Sequence, residues 1–170
     1  MTTQIWAPWR LDYITGDTPA GCIFCVGGKS GEDVSRQILW RGEHAFVLLN
    51  RYPYTNGHLM VAPYRHTADH GELSAEEVLE MHRLLVLSRD VLQQTLAPQG
   101  FNLGMNLGHA AGAGVVDHLH LHLVPRWVGD TNFMPVLCDV RVIPQHLART
   151  YELLRPVFAG LGTEFPQRAE

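Results

Sequence analysis

The most constraining stretch of this chain is a run of three histidines that alternate with three leucines, and residues 118–124 read HLHLHLV. A period of two is typical of a β-strand, whose successive side chains point to opposite faces of a sheet. We therefore predict that the leucines face a core and that His118, His120 and His122 form a row on the other face. A regular row would span about 13 Å, too far for three imidazoles to surround one metal ion. Packing alone poorly explains such a row, which predicts three separate tasks along an extended substrate.

A segment rich in glycine and alanine comes directly before this row. Residues 106–115 read NLGHAAGAGV. Small residues let backbone N–H groups approach an anion closely, and glycine supplies unusual backbone dihedrals. Such a segment alone could be a flexible hairpin loop. Its place before three histidines favours a phosphate cradle formed by the backbone of Gly112, Ala113 and Gly114.

The loop and the histidine run together resemble the histidine triad superfamily of nucleotide hydrolases and transferases, over residues 22–133. The resemblance implies that the middle histidine, His120, attacks the α-phosphorus of a nucleotide and carries a nucleotidyl intermediate. This role suits a neutral imidazole, which divides one displacement into two steps. The resemblance also implies that Asn106, His122 and the backbone of residues 112–114 hold the phosphate oxygens as charge develops.

The loop departs from the usual pattern of that family, which is Ala-Gly-Gln-Ser/Thr-Val-x before the first histidine. Here residues 111–117 read AGAGVVD, with one residue more and no glutamine. Backbone N–H groups of Ala113 and Gly114 are candidates to replace the glutamine contact. A longer loop of small residues also leaves room for a second anion, which favours inorganic phosphate over water as the acceptor.

The expected activity is therefore cleavage of a nucleoside polyphosphate at the α-phosphate. Diadenosine tetraphosphate phosphorolysis or hydrolysis leads the expectation, because residues 5–14 are similar to a bacterial branch of the family that includes diadenosine tetraphosphate phosphorylases. Two other functions stay open. One is hydrolysis of a nucleoside phosphoramidate, and the other is nucleotide binding without turnover in a regulatory module.

Two cysteines, Cys22 and Cys25, form a Cys-x-x-Cys motif, which occurs in redox sites, in metal sites and as buried thiols. Three cysteines without an export signal argue against a disulfide framework, and the flanking glycines do not suggest a redox motif at a helix start. The resemblance implies that His66 and His118 complete a four-ligand structural zinc site. Cys138 has no partner in this scheme. No organic cofactor is expected.

Three further residues are candidate substrate contacts by resemblance or position. Asn50 matches a family position that binds the nucleoside ribose, although an asparagine that caps a turn explains it equally well. Arg126 and Asn132, which follow the histidine run, are candidate phosphate contacts, and solvated loop residues are the alternative. His44 and His58 are interpreted as structural.

Composition indicates one ordinary globular domain over residues 1–170, with 46% hydrophobic and 18% charged residues. Its net charge of −4 argues against nucleic acid as a partner. No long apolar segment predicts export or membrane insertion, so we expect a cytoplasmic protein. Residues 1–20 are interpreted as an N-terminal arm and residues 161–170 as a loose C-terminal tail.

The predicted fold is α+β: an antiparallel sheet of about five strands with one long helix across it and a C-terminal helix. A capping box at residues 74–77 starts the long helix, which should end near residue 96. The C-terminal helix should run over residues 144–157 and end at Pro156. Four strands besides the histidine run are predicted at residues 37–40, 44–49, 58–62 and 101–106. By resemblance, we expect a homodimer or larger homo-oligomer.

Overall fold

Over the part of the chain that the structure describes, the sheet has five strands: β1 (Ile38–Arg41), β2 (Ala45–Leu49), β3 (Leu59–Pro63), β4 (Gly100–Met105) and β5 (Leu121–Arg126). All neighbours pair antiparallel, in the order β1-β2-β3-β5-β4. The structure, a computed structural model, describes residues 21–27, 30–131 and 143–161. The predicted arm, most of the predicted tail, Asn132 and Cys138 lie outside these ranges. The predicted α+β fold and its antiparallel sheet are confirmed.

Across the described residues, three α-helices accompany the sheet: α1 (Asp33–Arg36), α2 (Ala75–Leu96) and α3 (Leu147–Leu161). The predicted capping box starts α2, because the Glu77 backbone N–H donates to Ser74 Oγ and the Ser74 N–H donates to the Glu77 carboxylate. These two bonds satisfy N–H groups that a helix start leaves without partners. Within the described ranges, no helix is both long and apolar enough for a membrane crossing.

The two faces of the sheet are covered differently. Alternate residues of β2 and β3, such as Val47 and Val61, pack with α2 and α3 into the main hydrophobic core. The intervening residues, such as Phe46 and Met60, form a smaller cluster with Phe24 on the opposite face. Met60 lies opposite His122 in the β3–β5 register. The histidine run therefore belongs to the face that the long helices leave open.

The predicted histidine strand begins later than its sequence pattern suggests. Of the three histidines, only His122 lies within β5, so the prediction of a strand from residue 118 is wrong for its first three residues. Continuing the β3–β5 register would place Pro63, which has no N–H, opposite Leu119. The Leu119 N–H instead donates to the Thr67 carbonyl at 2.8 Å. The run keeps its leucines inward, since Leu119 and Leu123 are both buried.

The C-terminal helix also differs from its prediction. It begins at Leu147 and continues through Pro156 to Leu161, so the predicted end at the proline is wrong. A proline inside a helix costs about 3 kcal/mol, because it removes one hydrogen bond and its ring crowds the preceding turn. Leu154 and Phe158, on either side of it, are fully buried in the core. Burial of these two side chains offsets the cost of the proline, so the helix continues past Pro156.

A tight turn at Asn56 and Gly57 delivers the chain to β3, as the Asn-Gly signal predicts. Gly57 has φ +77°, a conformation that residues with a side chain rarely adopt. A Cβ atom there would lie 2.7 Å from Leu96 Cδ1 at the end of α2. The turn therefore needs glycine for two reasons. It is followed directly by His58, which contacts His122 of the histidine run.

Candidate functional site

The three histidines of the alternating run lie close together and are all buried. The exposed fractions of His118, His120 and His122 are 1%, 5% and 9%. The ring centroids of His120 and His122 are only 4.8 Å apart. Each ring nevertheless has its own partners, so three identical side chains occupy three different chemical environments.

The ring of His120 is held with a defined protonation. Its Nδ1 lies 2.9 Å from the backbone carbonyl oxygen of His118. A carbonyl oxygen only accepts, so Nδ1 carries the proton and Nε2 keeps a free lone pair. Burial lowers the pKa of His120, and the bond to the His118 carbonyl only partly opposes this effect. His120 is therefore a neutral imidazole at pH 7 and is suited to nucleophilic attack through Nε2.

Phe24 packs on the His120 ring, a contact that the sequence motifs did not predict. The Cys25 N–H donates to the Cys22 carbonyl at 3.1 Å, so the Cys-x-x-Cys motif forms a turn. The turn buries Phe24, whose ring stacks on His120 at a centroid distance of 4.7 Å and an interplanar angle of 30°. The signal for this contact in the sequence is that an aromatic residue lies between two candidate metal ligands.

His122 has a different environment on the same face. Burial lowers the pKa of His122 to about 4, and repulsion between the two rings when His120 is protonated acts in the same direction. Its Nδ1 lies 3.0 Å from Nε2 of the fully buried His58. This contact gives His58 a role beyond the structural one that its sequence context predicts. The signal in the sequence is the position of His58 at the start of a predicted strand.

An open cleft of about 400 Å³ adjoins His122. Its polar lining residues include Asn102, Asn106 and Arg126. The Arg126 guanidinium donates to both carboxylate oxygens of Asp130, at 2.6 and 2.9 Å, and to the Asn102 side chain. The predicted phosphate contact Arg126 is thus engaged in an ion pair at the edge of the cleft. The arginine holds the pKa of the Asp130 carboxyl far below its usual range.

The glycine-rich loop lies between β4 and the histidine run. Asn106 leaves the end of β4, and its side-chain amide lies 3.5 Å from the Gly112 carbonyl. Gly112 has φ +82°, which favours glycine, and it ends a short 3₁₀ turn at His109–Ala111. Ala113 is buried and Gly114 is exposed. Of these four candidates, only Asn106 lines the cleft beside His122.

The candidate ribose contact Asn50 makes local hydrogen bonds just after β2. Its Oδ1 accepts from the Tyr52 N–H at 2.9 Å, which is the pattern of an asparagine that caps a turn. Its Nδ2 lies 3.3 Å from Nδ1 of His58. Asn50 is therefore connected to the histidine cluster through His58.

The four predicted zinc ligands converge in one cluster. The donor atoms of Cys22, Cys25, His66 and His118 all lie within 4.8 Å of one another. Individual separations are 3.3 Å for Cys22 Sγ to His118 Nδ1, 3.3 Å for Cys25 Sγ to His66 Nδ1 and 3.3 Å between the two Nδ1 atoms. A tetrahedron with Zn–N of about 2.0 Å and Zn–S of about 2.3 Å separates its donors by about 3.3–3.8 Å. The cluster therefore fits one tetrahedral zinc ion.

The second nitrogen of His118 supports the same assignment. Its Nε2 lies 2.9 Å from the Pro63 carbonyl oxygen, so Nε2 carries the proton and Nδ1 is free to bind a metal ion. The backbone carbonyl of this same residue accepts the hydrogen bond from His120 Nδ1–H. The candidate zinc-ligand cluster and the candidate nucleophile are thus joined through one residue.

Comparisons with known proteins agree with this architecture. Residues 32–128 match the HIT domain. The chain is 35% identical over 166 residues to an AP-4-A phosphorylase of Mycobacterium tuberculosis. This match covers 92% of this chain and 84% of the relative. It is 28% identical over 102 residues to a bis(5'-adenosyl)-triphosphatase of Saccharomyces cerevisiae, covering 57% of this chain and 49% of that protein.

A solved structure shows the same fold. The crystal structure of a Zn-bound histidine triad family protein from Mycobacterium smegmatis superposes with a TM-score of 0.64 and 30% sequence identity. The match covers 84% of this chain and 96% of that protein. With the domain match over more than half of the chain and a relative aligned along most of its length, this protein belongs to the HIT domain family.

Proposed function

We propose that this protein cleaves dinucleoside polyphosphates at the α-phosphate through a nucleotidyl intermediate on His120. The observation that carries the proposal is the bond from His120 Nδ1–H to the His118 carbonyl, which directs the Nε2 lone pair to attack. Membership in the HIT family, whose relatives here include named nucleotide-processing enzymes, supports the same reaction class.

The reaction has two displacements at phosphorus. In the first, His120 Nε2 forms a bond to the α-phosphorus, and the bond from phosphorus to the leaving polyphosphate oxygen breaks. In the second, an oxygen of phosphate or water attacks the same phosphorus and releases His120. We assign Asn106, His122 and the backbone N–H groups of residues 112–114 to hold the phosphate oxygens as negative charge develops.

The acceptor that we favour is inorganic phosphate. The loop before the histidine run is one residue longer than the usual family pattern and consists of small residues, which leaves room for a second anion. The relative from Mycobacterium tuberculosis that aligns along most of this chain is named a phosphorylase. Both observations support phosphorolysis over hydrolysis.

Product analysis on diadenosine tetraphosphate tests this proposal. With phosphate present, we expect ADP and ATP in equal amounts, because phosphate joins the adenylyl group and ATP leaves. Without phosphate, we expect little product. AMP and ATP formed at the same rate without phosphate would contradict phosphorolysis and indicate a hydrolase. Absence of cleavage under both conditions would contradict the proposal and direct the assay to nucleoside phosphoramidates.

We further propose that Cys22, Cys25, His66 and His118 hold one structural zinc ion. When bound, zinc would cross-link the turn at Cys22 and Cys25 to the segment after β3, which contains His66, and to the start of the histidine run. Metal analysis of protein never exposed to a chelator should find about one zinc per chain. Cys22→Ser should lose that stoichiometry, whereas Cys138→Ser, which alters none of the four ligands, should keep it. Metal-free wild-type protein would contradict the assignment.

We also propose a homodimer formed along β4, which lies at one edge of the sheet. None of its six residues is buried, and Leu103 and nearby Leu107 are 58% and 55% exposed. No strand in the described part of the chain pairs with the outer side of β4, and an edge strand with exposed leucines is suited to pairing with a second copy. Sedimentation should give the mass of a dimer, which Leu103→Lys should weaken and Val34→Lys, at an exposed site on α1, should not. A monomeric wild type at micromolar concentration would contradict this proposal.

A further inference from the structure

His58 is a fully buried histidine whose ring nitrogens both have partners. Its Nδ1 lies 3.1 Å from the Tyr54 backbone N–H, which can only donate. The Asn50 amide also faces Nδ1, at 3.3 Å, and its orientation follows from the Tyr52 N–H that donates to Asn50 Oδ1. Two donors therefore point at Nδ1 of His58. Its proton must lie on Nε2.

This protonation determines that of His122. His58 Nε2–H donates to His122 Nδ1 across 3.0 Å, so Nδ1 of His122 is the acceptor. The pKa of His122 is lowered to about 4, chiefly by burial, so the ring carries a single proton at pH 7. That proton must lie on Nε2. In His120 the proton is on the other nitrogen, Nδ1, because Nδ1 faces the His118 carbonyl oxygen, which can only accept a hydrogen bond.

The Nε2 atom of His122 has a property that points to a ligand. Among the described residues, it is buried and has no hydrogen-bond partner. An unpaired buried donor is energetically unfavourable, so it calls for an explanation. His122 lines the cleft beside Asn106. An oxygen of a bound phosphate is an acceptor of the right chemistry for this N–H group.

We propose that His58 is a positioning residue that holds His122 in the tautomer that donates through Nε2 to an oxygen of the reacting phosphate. The catalytic part of this inference rests on the proposed function, whereas the tautomer is a property of the free protein. The chain uses two neighbouring imidazoles for opposite tasks. His120 presents a lone pair, His122 presents a proton, and the buried partner of each ring decides which.

Nitrogen-15 NMR of histidine-labelled wild-type protein at pH 7 tests the tautomer directly. We expect the His122 signals to show a protonated Nε2 and an unprotonated Nδ1, with the reverse for His120. The opposite assignment for His122 would overturn the inference. This measurement needs neither substrate nor a variant, so it decides the tautomer even if the protein does not cleave diadenosine tetraphosphate.

Two variants test the role of His58 in turnover. His58→Leu removes the donor to His122, and we expect kcat for diadenosine tetraphosphate to fall about 10–100-fold, as for loss of an outer partner of a functional histidine. KM should change little. His58→Gln places an amide N–H near the position of Nε2, so it should keep the His122 tautomer and recover most of kcat. His44→Gln, a histidine change just before β2, is the control and should match wild type.

The outcomes separate the two parts of the inference. A shifted His122 tautomer and a reduced kcat in His58→Leu, both restored in His58→Gln, would support it. A shifted tautomer with unchanged kcat would overturn the catalytic role. An unchanged tautomer in folded His58→Leu would overturn the positioning role. Absence of turnover in wild type, with the expected tautomer, would contradict the proposed function and leave His58 as the residue that sets the His122 donor.

Discussion

Replacing His120 by asparagine is expected to lower kcat for diadenosine tetraphosphate by about 10³-fold or more. Asparagine can still donate toward the His118 carbonyl, but it has no basic nitrogen in the place of Nε2. The covalent nucleotidyl intermediate therefore cannot form. Nucleotide affinity should remain, because the assigned phosphate contacts are other groups. Single-turnover kinetics and equilibrium binding of a non-hydrolysable analogue measure the two effects separately.

The matched control is His82→Asn, at an exposed position of α2. It should leave both kcat and affinity at wild-type values. Turnover of His120→Asn near the wild-type rate would rule out His120 as the nucleophile. If the wild-type protein binds the analogue tightly but turns over neither dinucleotides nor phosphoramidates, the chain is a nucleotide-binding module instead.

Replacing Glu80 by alanine is expected to lower the free energy of unfolding by about 3–5 kcal/mol. Glu80 is a buried residue of α2, 8% exposed, and its carboxylate accepts three consecutive backbone N–H groups. The donors are Glu43, His44 and Ala45, at 2.5–2.8 Å, where the chain turns from β1 into β2. Alanine would leave these donors without the carboxylate and open a cavity beside Gly42.

Urea unfolding followed by circular dichroism measures this loss, provided that the slope of the transition is unchanged. Glu80→Gln keeps one acceptor oxygen and should lose less stability than alanine. Gln93→Ala, at an exposed position of the same helix, is the control and should stay within about 0.5 kcal/mol of wild type. A loss below about 1 kcal/mol in Glu80→Ala would show that water replaces the carboxylate at this turn.

Local signals in the sequence predicted most of the regular structure. The capping box at Ser74 and Glu77 located the start of α2, because the two side chains satisfy backbone groups within a single turn. The strands β1 to β4 lie within one residue of their predicted bounds at each end. All of these signals act between residues that are near in the chain, so they can be recognised from the sequence alone.

The errors occur where a distant element decides the outcome. Pro156 would end an isolated helix, but α3 passes through it because Leu154 and Phe158 are buried against the sheet. Residues 118–120 have the alternation of a strand, but they leave the β3 ladder beyond Val61 as β3 approaches Pro63. In both cases the competing interaction involves a residue, or a surface, far away in sequence.

The sequence by itself determined the fold class, the family and the identity of the candidate nucleophile. Only the tertiary structure decided the chemical state of each histidine. A carbonyl acceptor places the His120 proton on Nδ1, whereas the donor His58, 64 residues away in the chain, leaves the His122 proton on Nε2. The physical reason is that a neutral imidazole has two nearly equivalent protonation sites. The hydrogen-bond partners that folding brings together choose between them.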